Sequence, residues 1–356
     1  MFYYGGLLMS ILPLDTSTQS ISILAKRQSG FTLVELMISL VLGLLISAAV
    51  MQIYLANVRS ATLQEAGSSI IDSNVFGIPV IEEHIRLANL GLAGTVNDTS
   101  EGSGIVLTQT GNLKGIKLIG NADVPLALLT NTGDVTAVGT GNQWSAKTAT
   151  NTPSGQLTIQ FRAPQNMYDC EGNLALGPRE VNINKIKKII DGQIVIERYY
   201  LHAQDASKPN QLSLYCDAGK YITEDMDKYS EQGQTSSPST VFSDKNVIKD
   251  FGDKGIAIVE QMDYFDVLLG TRDGGNIRYY TVKQYKDSLS KPEIISVKIG
   301  GVIRSNNVVQ TSELNNEFSV LGKNIKLKAD ATDVEKKYLR FAFQNEIALR
   351  NARLNF

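Results

Sequence analysis

Cysteine, histidine and tryptophan are scarce in this chain: 356 residues hold two cysteines, two histidines and one tryptophan. That scarcity removes most of the parts from which catalytic centres are built. Cys170 and Cys216 without a nearby histidine make a poor zinc set. The sequence also lacks a nucleophile elbow, a P-loop and a dinucleotide-binding glycine motif. His84 lies among charged residues on an amphipathic stretch, where a solvated position is expected, and His202 follows a strand pattern as a loop or edge residue. Trp144 sits among turn residues and reads as structural. The expectation is a protein that is not an enzyme and holds no cofactor and no metal. A surplus of positive charge is lacking too. The formal net charge is −2, which argues against a broad nucleic-acid surface; DNA contact is not indicated, although a local basic patch would be compatible with it.

The most informative absence is local. From Leu36 to Val58 there is no Asp, Glu, Lys, Arg or His, and roughly twenty apolar residues are what a helix needs to cross a hydrocarbon core. The basic pair Lys26 and Arg27 precedes this run and holds that end in the cytoplasm, sending the bulk of the chain outward. Glu35 stands at the entrance. A charge at membrane depth costs about 2.5–3.5 kcal/mol on insertion scales, so a carboxylate there is a functional signal that needs a partner. Cutting the chain after Gly30 would create a cation, because the new α-amino group on Phe31 would lie one helical turn from Glu35. That amine could face its own carboxylate or a neighbour's.

Gly-Phe-Thr-Leu-Val-Glu from Gly30 to Glu35, behind a basic pair and ahead of an apolar helix, resembles the class III signal of type IV pilins and pseudopilins. The resemblance implies that a prepilin peptidase cuts between Gly30 and Phe31 and methylates Phe31, and that Glu35 meets a neighbouring subunit's amine during assembly. Later motifs are similar to the PilW-type minor pilins: Glu82 to Ala88, Asp169-Cys170-Glu171-Gly172, Arg198-Tyr199-Tyr200, Leu214-Tyr215-Cys216, Ile258 to Met262 leading to Leu269-Gly270, and Ala348 to Asn351. That likeness implies a minor pilin that primes assembly at or near the pilus tip, serving adhesion, twitching motility or DNA uptake. Its implied partners are prepilin peptidase, other minor pilins, the major pilin, the inner-membrane assembly platform and a tip adhesin. The implied location is the inner membrane, with a periplasmic head, and then the pilus at the cell surface. Two other readings share parts of the pattern, a pseudopilin of a type II secretion system and a membrane-anchored ligand-binding protein.

The expected fold class is α+β, with a long N-terminal helix packed on an antiparallel β-sheet head. The expected divisions are a leader at 1–30, a pilin helix at 31–90 whose membrane part is 31–58, and a β-rich extracytoplasmic head at 91–356. Leu63, Ala66, Ile70, Ile78, Ile81, Ile85 and Ala88 recur near helical spacing and predict a stripe that packs on the protein's own sheet. Gly77 and Pro79 predict a kink or short break. No proline falls between Phe31 and Ile78, which leaves Gly43 as the soft point of the apolar half. Strands are expected near 104–108, 115–119, 157–162, 194–201, 212–216, 256–261, 265–269, 276–282, 294–303 and 338–349. Leu157 to Arg162 alternates as a strand with one buried face should. Residues 225–243 read as a surface loop. Arg272 to Asn276 reads as a hairpin turn, with a calcium loop at Asp273 as the alternative. Cys170 and Cys216 would both lie outside the cytoplasm, where disulfides persist, and a bridge between them is expected.

Overall fold

The computed structural model describes residues 30–133, 148–183, 186–205, 207–208, 210–224, 245–273, 275–310 and 314–350. Trp144 and the 225–243 loop lie outside the described residues, as do Lys26 and Arg27. Two compact units divide inside the long helix, one ending at Leu55 and the other beginning at Ala56.

Helix α1 spans Leu33–Asp72. Its first half is rich in Leu, Ile, Met and Ala and contains no proline, and Gly43 sits within it without interrupting it. Every residue from Gly30 to Leu55 is exposed, including the whole apolar set. A π-turn, Ser73–Gly77, follows, and helix α2 runs Ile78–Leu87 with Pro79 in its first turn. Proline is tolerated there because the first helical amides have no intrahelical partner. The expected break near Gly77 is therefore a widened turn and not a gap. Gly77 is needed for packing: a Cβ there would lie 2.5 Å from the Val259 side chain.

The second unit is built on two four-stranded antiparallel sheets. The strands of the first are β1 (Leu157–Arg162), β2 (Ile194–Ala203), β3 (Leu212–Tyr221) and β4 (Ile256–Val259), in spatial order β4-β3-β2-β1. Those of the second are β5 (Met262–Asp273), β6 (Asn276–Thr281), β7 (Ile294–Val308) and β8 (Tyr338–Ala348), in order β6-β5-β7-β8. The architecture is α+β. Asp273 pairs with Asn276 across the β5–β6 hairpin, and Gly275 takes φ +99°.

One apolar core joins α2 to both sheets. Ile78, Ile81, Ile85 and Ala88 meet Ile159 and Phe161 of β1, Phe265 and Val267 of β5, and Phe343 and Ile347 of β8. Three buried isoleucines contribute about 1.5–3 kcal/mol each through burial. The far face of each sheet is covered as well. Val106, Leu113, Val124 and Leu128 pack on Ile194, Ile196 and Tyr221. A small hairpin, Glu317–Val320 with Lys323–Lys326, lays Val320, Leu321 and Ile325 on Tyr264 and Val302.

That covering corrects two expectations. β1 is buried on both faces through Phe161 and not on one. Its polar side chains are satisfied inside: Thr158 Oγ1 donates to the Leu128 carbonyl at 2.7 Å, and Gln160 Nε2 to the Ser103 carbonyl at 2.8 Å. Residues 104–108 form no strand; they run beside β1 through one isolated bridge, Ile105 to Ile159. The chain leaves there because Thr108 caps the short helix Gln109–Asn112, accepting from Gly111 N. A hairpin that sequence reasoning passed over joins Arg179–Ile183 to Ile186–Ile190.

Candidate processing and assembly site

Thr32-Leu33-Val34-Glu35 forms a reciprocal N-terminal cap. Glu35 N donates to Thr32 Oγ1 at 3.2 Å, while Thr32 N and Thr32 Oγ1 donate to Glu35 Oε2 at 3.0 and 3.1 Å. This is the Ser/Thr-x-x-Glu capping box, in which two orphan amides of the first turn are satisfied reciprocally. The carboxylate therefore has a partner before any ammonium arrives. The three-residue spacing of Thr32 and Glu35 carries that signal in the sequence itself, beneath the more conspicuous one of a lone acid beside an apolar run. Ser39 Oγ also donates to the Glu35 carbonyl, at 2.7 Å. Gly30 and Phe31 precede the cap in the open, with Phe31 86% exposed. A peptide bond before a helix cap, outside regular structure, is geometrically open to a peptidase.

Four of the short motifs, around His84, Cys170, Tyr199 and Cys216, converge on one buried cluster. Asp169 begins a tight turn whose Oδ1 accepts from the Glu171 and Asn173 amides at 3.1 and 2.8 Å, and Gly172 there takes φ +83°. Glycine adopts such positive φ without steric cost. Cys170 on this turn is bonded to Cys216 on β3, with Cα atoms 6.2 Å apart, so the expected disulfide is present. The separation falls within the usual range for a bridge. Glu197 on β2, fully buried, accepts from Cys170 N at 3.0 Å and from Tyr199 Oη at 2.7 Å, and lies 2.8 Å from His84 Nδ1.

His84 is thus not solvated, as expected from its charged neighbours in sequence. It ties α2 to β2, and its ring stands edge-on to Phe161. Burial disfavours its charged form, but the Glu197 carboxylate outweighs that, helped by Glu83 and Asp169, and the pKa is raised. Beside this cluster, Arg198 and Asp217 form a fully buried pair at 2.8 Å, and the Arg198 guanidinium stacks on Tyr200. His202 is on β2, within aromatic reach of Tyr200 and Tyr215, and not in a loop.

Glu171, Asp217 and Asp253 bring carboxylate oxygens within 4.8 Å of one another. Protein donors account for each: Ala218 N for Glu171, Arg198 and Gly252 N for Asp217, and Gly255 N for Asp253. Burial, with repulsion from Asp217, Asp253 and Asp169 beyond what the Ala218 amide offsets, lifts Glu171 to about 7.

Two sequence families match the chain at separate places. Residues 25–51 match the prokaryotic N-terminal methylation motif, and residues 221–351 match the type IV pilus-assembly protein W family. A search of characterised proteins gave no match. Among solved structures, the type IV-like pilin TTHA1219 from Thermus thermophilus aligns over 80% of this chain and 97% of its own, at 9% identity and a TM-score of 0.33. The capped apolar helix at the N-terminal methylation motif is followed by a β-rich unit, and both family matches are to proteins of type IV pilus systems, which this chain resembles. From the end of β3 past β8 the chain is similar to the PilW-type minor pilins.

Proposed function

We propose that this chain is a minor pilin that primes pilus assembly and sits at or near the tip. In this reading residues 1–30 are a leader removed by prepilin peptidase between Gly30 and Phe31, and Phe31 is methylated. Lys26 and Arg27 hold the leader end in the cytoplasm, Phe31 to Val58 anchors the chain in the inner membrane, and residues 91–356 form a periplasmic head. Other minor pilins, the major pilin, the assembly platform and a tip adhesin are its partners, and its contribution to adhesion, twitching or DNA uptake is architectural and not catalytic.

The observation that carries this is the state of Glu35. Its carboxylate is held at the helix start by uncharged donors only, Thr32 N and Thr32 Oγ1. Charge-assisted hydrogen bonds are roughly twice as strong as neutral ones. An ammonium brought by a neighbouring subunit would therefore displace the cap and bind more strongly, which gives lateral association a direction. The outward side of the later helix supports packing against a neighbour, since Ile71, Val75 and Phe76 are exposed there.

Glu35→Gln keeps the cap's shape and removes its charge. The expected result is normal membrane insertion and cleavage with loss of piliation in a strain without redundant minor pilins. Pilus numbers equal to those of the parent strain would rule out the assembly role. N-terminal sequencing of the mature protein should begin at Phe31; any other start removes the processing assignment.

A further inference from the structure

Leu63 is the one member of the helical stripe that its own head leaves uncovered. Ala66, Ile70, Ile78, Ile81, Ile85 and Ala88 are buried, whereas Leu63 is 47% exposed. It lines an open groove of about 910 Å³ between α1 and the head, all of it within the unit that begins at Ala56. Arg59, Ser60 and Leu63 form the helix wall, and Val308 to Gln310, Val334 and Lys337 form the other. The lining is apolar with two cations and no acid. Among the described residues no carboxylate pairs with Arg59 or Lys337, while the adjacent Lys336 is engaged by Asp333 at 3.4 Å.

Position in the chain identifies the occupant. Arg59 is the first charged side chain after Glu35, so it ends the apolar run and marks the level at which the helix leaves hydrocarbon. Leu63 follows one turn later. A groove there that offers valine and leucine surface together with unpaired cations matches a phospholipid, whose anionic phosphate would meet Arg59 and Lys337. Its glycerol and upper acyl carbons would cover Leu63, Val308 and Val334. Cations beside an anionic membrane surface each gain about 1 kcal/mol, roughly fivefold in affinity.

We propose that the Arg59–Lys337 groove is a docking site for an anionic phospholipid headgroup, seating the head on the membrane surface before the subunit enters a filament. This goes beyond the pilin reading and needs only the membrane anchor.

The test uses the full chain. In detergent, native mass spectrometry with added phosphatidylglycerol or phosphatidylcholine should show about thirtyfold preference for the anionic lipid. Arg59→Gln or Lys337→Gln alone should reduce that preference about fivefold, and the double variant should abolish it. In phosphatidylcholine nanodiscs with and without phosphatidylglycerol, hydrogen exchange should slow at 308–310 and 334–337 only when the anionic lipid is present. Unchanged exchange across the rest of the head would show that the double variant is folded. Equal retention of both lipids, or equal protection in both discs, overturns the proposal. So does protection by inorganic phosphate alone, which would mean a free-anion site, or protection that requires another pilin, which would mean a protein occupant. A chain that enters neither kind of disc would instead refute the anchor.

Discussion

The segment from Gly30 to Leu55 and the unit that follows handle apolar and charged groups in opposite ways. In the first, every described side chain is exposed and apolar residues dominate, and the one acid is capped by its own chain. In the second, the apolar side chains of the two sheets are largely buried, and several charged ones are buried with them beside partners. Asp263 lies between Arg304 and Arg340, at 3.2 and 2.8 Å, all three almost inaccessible. Asp266, also buried, holds Lys323 at 2.7 Å and accepts from Tyr264. The difference follows from solvent: exposed leucine is stable only where the surroundings are lipid or another apolar helix, whereas burying an ion requires a partner close by. The two regions should therefore respond to different perturbations, and the contrast can be tested residue by residue.

The largest effect should come from removing one member of a buried charge cluster. Asp263→Ala leaves two guanidinium groups facing each other across β7 and β8, and a loss of about 3–5 kcal/mol in unfolding free energy is expected. Urea titration of the full chain in detergent, followed by tryptophan-independent circular dichroism, would measure it; a change below about 1 kcal/mol would mean that the cluster adds nothing beyond its surroundings.

Opening the Cys170–Cys216 bridge should come next. It closes a loop of 46 residues in sequence, and its loss should cost the head about 2–4 kcal/mol while leaving the helicity of α1 unchanged. Paired melts with and without reductant would separate the two regions. Two free thiols in a non-reducing mass measurement of the native protein would contradict the bridge itself.

A pH dependence is expected of the head alone. Protonated His84 is favoured by Glu197 in the folded state, so its contribution is complete below about pH 6.5 and fades as pH rises through its raised pKa. Glu171, lifted to about 7, acts in the same sense: ionising it disfavours the fold, and stability falls as pH climbs from its unfolded value of about 4.5 towards 7. The head should melt at a higher temperature near pH 5.5 than near pH 8, and Glu171→Gln should flatten the slope. A melting temperature that rises over that interval would reverse the assignment.

The smallest effect on stability belongs to the cap. Thr32→Val should weaken the start of α1 by about 1 kcal/mol and leave the melting of the head untouched. Its value is comparative: if Glu35→Gln abolishes piliation while Thr32→Val does not, the carboxylate acts through a partner's charge, whereas equal loss in both would place the requirement in the cap.

Much of this was legible in the sequence because it was local. The apolar run, the methylation motif and strands such as β1, β2 and β6 declare themselves within a few residues, and the bridge was expected from the chain's two cysteines. What stayed hidden depended on distant partners. His84 reads as solvated beside Glu82 and Glu83, since nothing nearby in sequence announces that Glu197 will lie 2.8 Å away. The polar face of β1 reads as outward because Thr158 and Gln160 find their partners at Leu128 and Ser103, which only the folded chain brings near. The cap is the exception. Thr32 and Glu35 are three residues apart, and that signal was present but eclipsed by the cost of the charge.

The π-turn at Ser73–Gly77 sets the angular phase of the helix. Continued as ideal α-helix at about 100° per residue, Ile78 would point roughly 80° away from Ile70 around the axis. Five residues at the slower rotation of a π-turn cancel that offset, so that Ile70 and Ile78 both reach the same core. Deleting a single residue between Ser73 and Gly77 would let the segment close into regular α-helix with Ile78 seven residues after Ile70, about 20° from it around the axis, so the stripe would still face the core; deleting two would turn Ile78, Ile81 and Ile85 away by about 100° more.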